Sequence, residues 1–335
     1  MKKKLFCFAL VVLLIGSMVT FLGCSKKEAA TSAPKPRVLK LGHKMNATHS
    51  WHKASLMLAD LVKEGTKGEI EIQIYPNSEL GDQKQMTEAA QIAVLDLLLG
   101  APAEFVSFIP EIGVLDLPFI FRDYDHAFKA LDTVGWDFDK AFQTKNLKLL
   151  STWNTGFKNL SNSKKEIKSI NDLKGLKIRI AGNPVLIDTV KALGANAISI
   201  PWSETYIALQ QGTADAQFNP AGPMVDAKIY EVQKYYSPNL VIQYGAEQLV
   251  MSLKTWNSLT AEQQKIFLAA ADKAKEYQRK ESMLEEEKAL QKMKDFGCVV
   301  TDVPQTVLDD VKRLLTPVAE KYGDPAMIKK LQDVK

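Results

Sequence analysis

Leu176, Ile178 and Ile180 alternate with Lys177, Arg179 and Ala181, the period-two pattern of a half-buried strand. Asp172 and Gly175 punctuate its start, and Gly182-Asn183-Pro184 punctuates its end. Upstream, a short strand over Val38 to His43 leads into an amphipathic helix from about Trp51 to Glu64. Ile70, Ile72 and Ile74 then alternate with Glu71 and Gln73, and a turn-rich loop from Tyr75 to Asp82 precedes a helix over about Gln83 to Ala93. Val94 to Leu99 is nearly continuously apolar, as a central parallel strand would be. Asp96 is out of place in that run and is expected to bond backbone donors at the strand's start. This β-α-β-α-β order predicts an open, largely parallel sheet with helices on both faces.

The apolar, proline-punctuated stretch from Ala101 to Arg122 reads as core or hinge packing. Helical patterns follow to about Lys145, then a strand over Leu147 to Trp153. Beyond Arg179 the pattern predicts a helix over Pro184 to Leu193 and a strand over Ala197 to Ile200. Next come a helix with Ser203 as its N-cap behind Pro201, a short strand ending at Pro220, and a helix over Met224 to Tyr235. This second β-α-β block reads as a separate lobe, and a strand over Leu249 to Leu253 returns to the first. Thr260-Ala-Glu-Gln263 has capping-box spacing and opens a helical pattern reaching Phe296. A helix that long must kink or bridge both lobes. Val299-Val300 is a last strand, and helices near Gln305 to Tyr322 and Pro325 to Leu331 close the chain.

Composition adds an address. Lys2-Lys3-Lys4 followed by the apolar run Leu5 to Leu14 forms an export signal too short to span a bilayer well. Gly23-Cys24 downstream resembles the lipobox of bacterial lipoproteins, which implies cleavage before Cys24 and lipidation of that cysteine. An ordinary secretory signal or an uncleaved anchor is the alternative. Residues 24–36 read as a flexible tether. Losing Lys2, Lys3 and Lys4 from a chain with 43 basic and 39 acidic residues leaves the two signs in near-balance, which argues against nucleic acid as a partner. Of three cysteines only Cys298 remains outside signal and tether, so no internal disulfide forms, and Cys298 reads as a buried strand residue. About 300 further residues suit two lobes better than one core.

The candidate chemistry is sparse. There is no G-x-S-x-G, P-loop, dinucleotide fingerprint or H-E-x-x-H. His49 and His52 share a helical face and His43 could lie nearby, so a metal receptor using His43, His49 and His52 is one reading; histidines lining a strand–helix junction is the other. Cys298 with a distant histidine would be the enzymatic reading. Arg179, at the end of its strand, is either a solvated charge or a planar fork of donors suited to a carboxylate.

Several segments in order resemble the DctP-type substrate-binding proteins of tripartite ATP-independent periplasmic (TRAP) transporters. They are Ile72-Gln-Ile-Tyr-Pro-Asn-Ser-Glu-Leu-Gly-Asp82, Val114-Leu-Asp-Leu-Pro-Phe119, Asp172-Leu-Lys-Gly-Leu-Lys-Ile-Arg179, Leu193-Gly-Ala195, Tyr206-Ile-Ala-Leu-Gln-Gln-Gly212 with Asp215, Asn219-Pro220, and Tyr230-Glu-Val-Gln-Lys-Tyr235. The resemblance spans Leu39 to about Val303. It implies an α/β, two-lobed periplasmic-binding-protein fold (type II-like, Venus flytrap) with a long bridging helix. Beside a signal peptide (1–23) and a lipid-anchored linker (24–36), the lobes would be 37–155 with 244–281, and 156–243 with 282–335. It also implies a non-enzymatic, cofactor-free, extracytoplasmic receptor that captures a small carboxylate by lobe closure and delivers it to small and large integral-membrane subunits.

By the same resemblance Arg179 clamps the ligand carboxylate, Asn219 bonds the same ligand, and Trp202 lies beside it. Lys158 stands where a second arginine is common. His43 and Lys44 fall where the first strand's end lines the cleft, and Gln83 where a polar residue reaches the ligand. Ala101, polar in some members, and Tyr236-Ser-Pro-Asn-Leu-Val-Ile242, which lacks a common Thr-Asn-His, imply a more apolar cleft and leave an apolar or non-acid ligand as an alternative.

Overall fold

The computed structural model describes residues 35–335. The export signal, Cys24 and nearly all of the tether lie outside them. Strand β1 (Arg37–Gly42) buries Leu39 and Leu41 and turns Val38 and Lys40 outward. Helix α1 (Ser50–Gly65) buries Trp51, Ala54, Ser55, Leu58 and Val62, a stripe at helical spacing. It packs on β1, on β2 (Ile70–Tyr75) and on a longer helix described below. Helix α2 (Gln83–Gln91) opens with a capping box in which Asp82 accepts from Gln85 N and Gln85 accepts from Asp82 N. Strand β3 (Leu97–Gly100) is buried throughout. It starts later than its apolar run implies, because Val94 closes a turn onto Ala89 O and is 70% exposed. Asp96 accepts from Lys40 N (2.9 Å), a backbone donor as expected, and also from the side-chain hydroxyl Thr255 Oγ1 (2.8 Å).

Short helices α3 (Pro102–Phe105), α4 (Tyr124–Thr133) and α5 (Asp139–Gln143) lead to β4 (Leu147–Asn162). Then follow β5 (Lys177–Ile180), α6 (Pro184–Ala192), β6 (Asn196–Ser199), α7 (Thr205–Gln210), β7 (Ala216–Asn219) and α8 (Ala221–Asp226). The chain continues through β8 (Tyr235–Ser252) and α9 (Leu253–Asn257) to the long helix α10 (Ala261–Phe296), then β9 (Val299–Val300), α11 (Gln305–Tyr322) and α12 (Pro325–Gln332).

Strands β4 and β8 depart most from the sequence expectation. The first does not stop at Trp153, and the second starts at Tyr235 rather than Leu249, so each runs well over a dozen residues. They pair antiparallel from Leu147↔Ser252 to Asn162↔Tyr235, with four register shifts. They join the other strands in one sheet, in the order β2-β1-β3-β8-β4-β7-β5-β6, with β9 on β8. The expected open, largely parallel sheet is corrected to one continuous, mixed sheet that also takes in the second β-α-β block. Both long strands are buried at nearly every residue, which erases the alternation that marks a half-buried strand.

Two local expectations also change. The helix over Met224 to Tyr235 is only α8: Lys228 adopts a left-handed conformation (φ 55°), a single 3-10 turn follows, and β8 begins. Ser203 lies inside a 3-10 turn (Trp202–Glu204) rather than capping α7.

Helix α10 bridges the molecule. Thr260 and Gln263 form the expected capping box, and Gly297, at φ 99°, ends the helix. On the first lobe, Arg279 makes two bonds to Asp132 (2.7 and 2.9 Å) and one to Thr152 O, while Gln278 brackets the backbone of Asn154. Further along, Glu286 accepts from Ala221 N and Gly222 N at the start of α8 in the second lobe. The C-terminal helices divide: α11 buries Val307, Val311 and Leu315 in the core that holds Ile178, Ile180 and Leu186, whereas α12 packs near α4, where His126 Nε2 meets Leu331 O at 3.0 Å.

Candidate functional site

Strand β5 lies inside the sheet, between β7 and β6. Ile178 and Ile180 enter the second lobe's core, and Arg179 is carried on the intervening position at the strand's carboxyl end. It is not a solvated charge: it is 8% exposed. Its Nε donates to Ile200 O (2.8 Å), and its guanidinium lies 5.6 Å from the centre of the Trp202 ring. Burial pulls its pKa down to about 10, with Glu104 acting in the opposite direction through space. Among the described residues no acid forms an ion pair with it, so its two terminal nitrogens remain as donors toward the cleft.

That cleft has an inner chamber of about 50 Å³ and a mouth of about 270 Å³. Arg179, Trp202, Lys44 and Glu104 line both. Lys158 and Asn219 line the chamber with Glu247, and Gln83 lines the mouth. The side chain of Asn219 is held by Gln217 Oε1, and Gln217 in turn donates to Ser161 Oγ (2.8 Å). Gln83 is 7% exposed, and neither its amide nitrogen nor its oxygen has a partner among the described residues. Six of the seven residues singled out in the sequence thus meet around one cavity. His43 does not: it is fully buried behind the cleft wall and absent from both linings.

Three acids escaped the sequence reading. Glu104 pairs with Lys44 (2.7 Å) through Oε1 and caps its own short helix by accepting from Ala101 N through Oε2. Its signal was Pro102 followed by a glutamate at the third helical position, a start-of-helix pattern. Asp116 accepts from Asn183 Nδ2 (2.8 Å) and Gln243 Nε2 (2.9 Å), and burial pushes its pKa up to about 7. An aspartate inside the apolar run Val114 to Phe119 was the clue. Glu247 gave none, since β8 was not recognised there. Ala101 lines the chamber, together with the charged side chains of Lys44, Glu104, Lys158, Arg179 and Glu247.

The family model of bacterial extracellular solute-binding protein family 7, DctP, matches residues 41–324. The chain belongs to this family. It is 34% identical over 290 residues to the 2,3-diketo-L-gulonate-binding periplasmic protein YiaO of Escherichia coli, covering 84% of this chain and 86% of that one. Among solved structures it is similar to the sugar acid binding protein DctPAm of Advenella mimigardefordensis in complex with galactonate. The TM-score there is 0.86 at 29% identity, over 90% of this chain and 98% of that one. A TRAP periplasmic solute-binding protein from Polaromonas sp. JS666 bound to D-erythronate aligns with a TM-score of 0.84 at 32% identity, over 89% and 99%. This family 7 protein is accordingly a solute-binding receptor of the TRAP type with the two-lobed fold. Among the described residues no helix is long and apolar enough to cross a membrane.

The other two chemistries read from the sequence take structural roles in this family 7 chain. His49 caps α1, its Nδ1 accepting from Trp51 N (3.2 Å), and His43 Nε2 sits 3.3 Å from His52 Nδ1. Among the described residues no three His, Cys, Asp or Glu side chains are grouped as a metal ion requires. Cys298 is buried, its thiol facing Tyr230 O and Gln233 O, and burial raises its pKa, the reverse of what a nucleophile needs.

The cap has a pH signature. Burial, then Lys53 and Lys44, lower the pKa of His49 from 6.5 to about 3, and only the neutral ring can accept the bond from Trp51. Its stabilisation is complete above pH 6.5 and is lost as pH falls toward 3. Asparagine caps a helix without titrating. His49→Asn should therefore flatten the fall in unfolding free energy between pH 6.5 and 3, by up to about 1.4 kcal/mol per pH unit. Equal slopes for the two proteins in urea titrations would refute this role.

Proposed function

We propose that this receptor captures a small carboxylate between its lobes, with Arg179 as the clamp, and hands it to integral-membrane subunits without chemical turnover. The observation that carries the reading is a nearly buried guanidinium held by Ile200 O and Trp202 with no acid among the described residues paired to it. A ligand carboxylate would supply two parallel charge-assisted bonds in a site shielded from water. Asn219 and Lys158 would fix its orientation beside Trp202. Lys44 and Gln83, carried on the first lobe, would complete the site on closure, so ligand would favour the closed state. The relatives named above, described as binding diketogulonate, galactonate and erythronate, support an acid.

The lobes we infer are 37–155 with 244–281, and 156–243 with 282–324, the last helix returning to the first lobe. An export signal and lipid at Cys24 would hold the receptor at the outer face of the cell membrane or in the periplasm. Titration calorimetry on ligand-stripped protein, comparing organic acids with their neutral amides, tests the clamp. Equal affinity for an acid and its amide would remove it, and a Cys24→Ser protein that stayed in the membrane fraction would remove the tether.

A further inference from the structure

Glu247 lies on β8, 2% exposed, and lines the inner chamber. One carboxyl oxygen, Oε1, accepts from Thr155 Oγ1 at 2.7 Å. The other, Oε2, is buried without a partner among the described residues. Burial raises the pKa of Glu247, and Lys44 and Lys158, neither bonded to it among the described residues, act in the opposite direction through space. A buried oxygen left without a donor is costly, so a partner from outside the protein is called for.

The charges around the chamber restrict what that partner can be. Three cations, Lys44, Lys158 and Arg179, face two carboxyl groups, Glu104 and Glu247. One ligand carboxylate balances the set, and a second would place excess negative charge beside Glu247 in a site shielded from water. A hydroxyl group supplies a donor without adding charge. Gln83 at the mouth points the same way: its unpartnered amide offers both a donor and an acceptor, which a second hydroxyl satisfies.

We propose that Glu247 determines specificity, its Oε2 accepting a hydrogen bond from a ligand hydroxyl, so that the cleft selects a hydroxylated monocarboxylate over hydroxyl-free acids and dicarboxylates. This rests on the carboxylate reading of Arg179. The test is calorimetry on ligand-stripped wild type, Glu247→Gln and Glu247→Leu. The ligands are D-erythronate and D-galactonate, hydroxyl-free butyrate and hexanoate, and succinate.

Wild type should bind its preferred hydroxy acid about tenfold to a hundredfold more tightly than the hydroxyl-free acids or succinate. Glu247→Leu should lose most of that preference. Glu247→Gln keeps the bond from Thr155 and the shape of the site but removes one negative charge, so it should gain succinate affinity relative to the hydroxy acids. A wild type that binds butyrate or succinate as well as the hydroxy acids overturns the proposal, as does a Glu247→Gln protein with unchanged preference. Wild type binding none of the five acids would instead defeat the carboxylate reading itself, and this inference with it.

Discussion

Arg179→Ala is expected to bind the receptor's acid at least about a hundredfold more weakly than wild type, while folding as well. Truncating one partner of a buried, hydrogen-bonded charge pair costs about 2–5 kcal/mol, and each 1.4 kcal/mol is about tenfold in affinity. Arg179→Lys should fall between the two, because it keeps a charge but loses the Nε bond to Ile200 O and the planar fork. The two roles open to a buried arginine separate in a stability measurement. Without ligand, Arg179 is a desolvated charge whose only protein hydrogen bond among the described residues goes to Ile200 O, so replacing it with methionine should leave the ligand-free melting temperature equal or higher. With saturating ligand, wild type gains about 2.7 kcal/mol at a hundredfold excess over Kd, and the variant should gain almost nothing. If the ligand-free Arg179→Met protein melts well below wild type, Arg179 is a structural residue and the clamp fails.

Gly156→Val should destabilise the protein by about 2–5 kcal/mol, among the largest single-residue effects outside the hydrophobic cores. Gly156 sits in β4 at a register shift, opposite Gly245 of β8. Its φ of +117° costs a residue with a side chain on the order of 1–3 kcal/mol. A Cβ there would also stand 3.0 Å from Pro220 Cγ and 3.2 Å from Tyr124 Oη, which adds an overpacking cost of about 1–3 kcal/mol. Tyr124 belongs to α4 and Pro220 follows β7, so the crowding falls between elements distant in the chain. Gly212 separates strain from crowding: its φ is +72° and no atom lies within 4 Å of an added Cβ. Gly212→Ala should therefore cost only about 1 kcal/mol. Urea unfolding that ranks the two variants equally would show that the Gly156 position is not crowded.

Much of this molecule was legible along the chain. Alternation placed β1, β2 and β5, helical spacing placed α1, and Thr260 with Gln263 placed the start of α10. Each is a local pattern, in which residues two to four apart must share a face or a cap, and such patterns survive without knowledge of the rest of the fold. The segments shared with family 7 carried Arg179, Trp202, Asn219, Lys158, Lys44 and Gln83 to one cleft.

What local pattern could not contain was decided by partners distant in the chain. Strands β4 and β8 cover each other and are covered on both faces, so polar Asn154, Thr155, Glu247 and Gln248 lie inside a sheet where alternation predicts none. Glu247 becomes a cleft residue only because Thr155, 92 positions earlier, holds one of its oxygens and leaves the other free. His43, directly before the cleft-lining Lys44, is instead buried against His52. Arg179 shows both levels in one residue. Its strand and position follow from Leu176 to Ala181 alone, but its function depends on burial and on the lack of a nearby paired acid, which arise only when Ile200, Trp202 and Glu104 close around it.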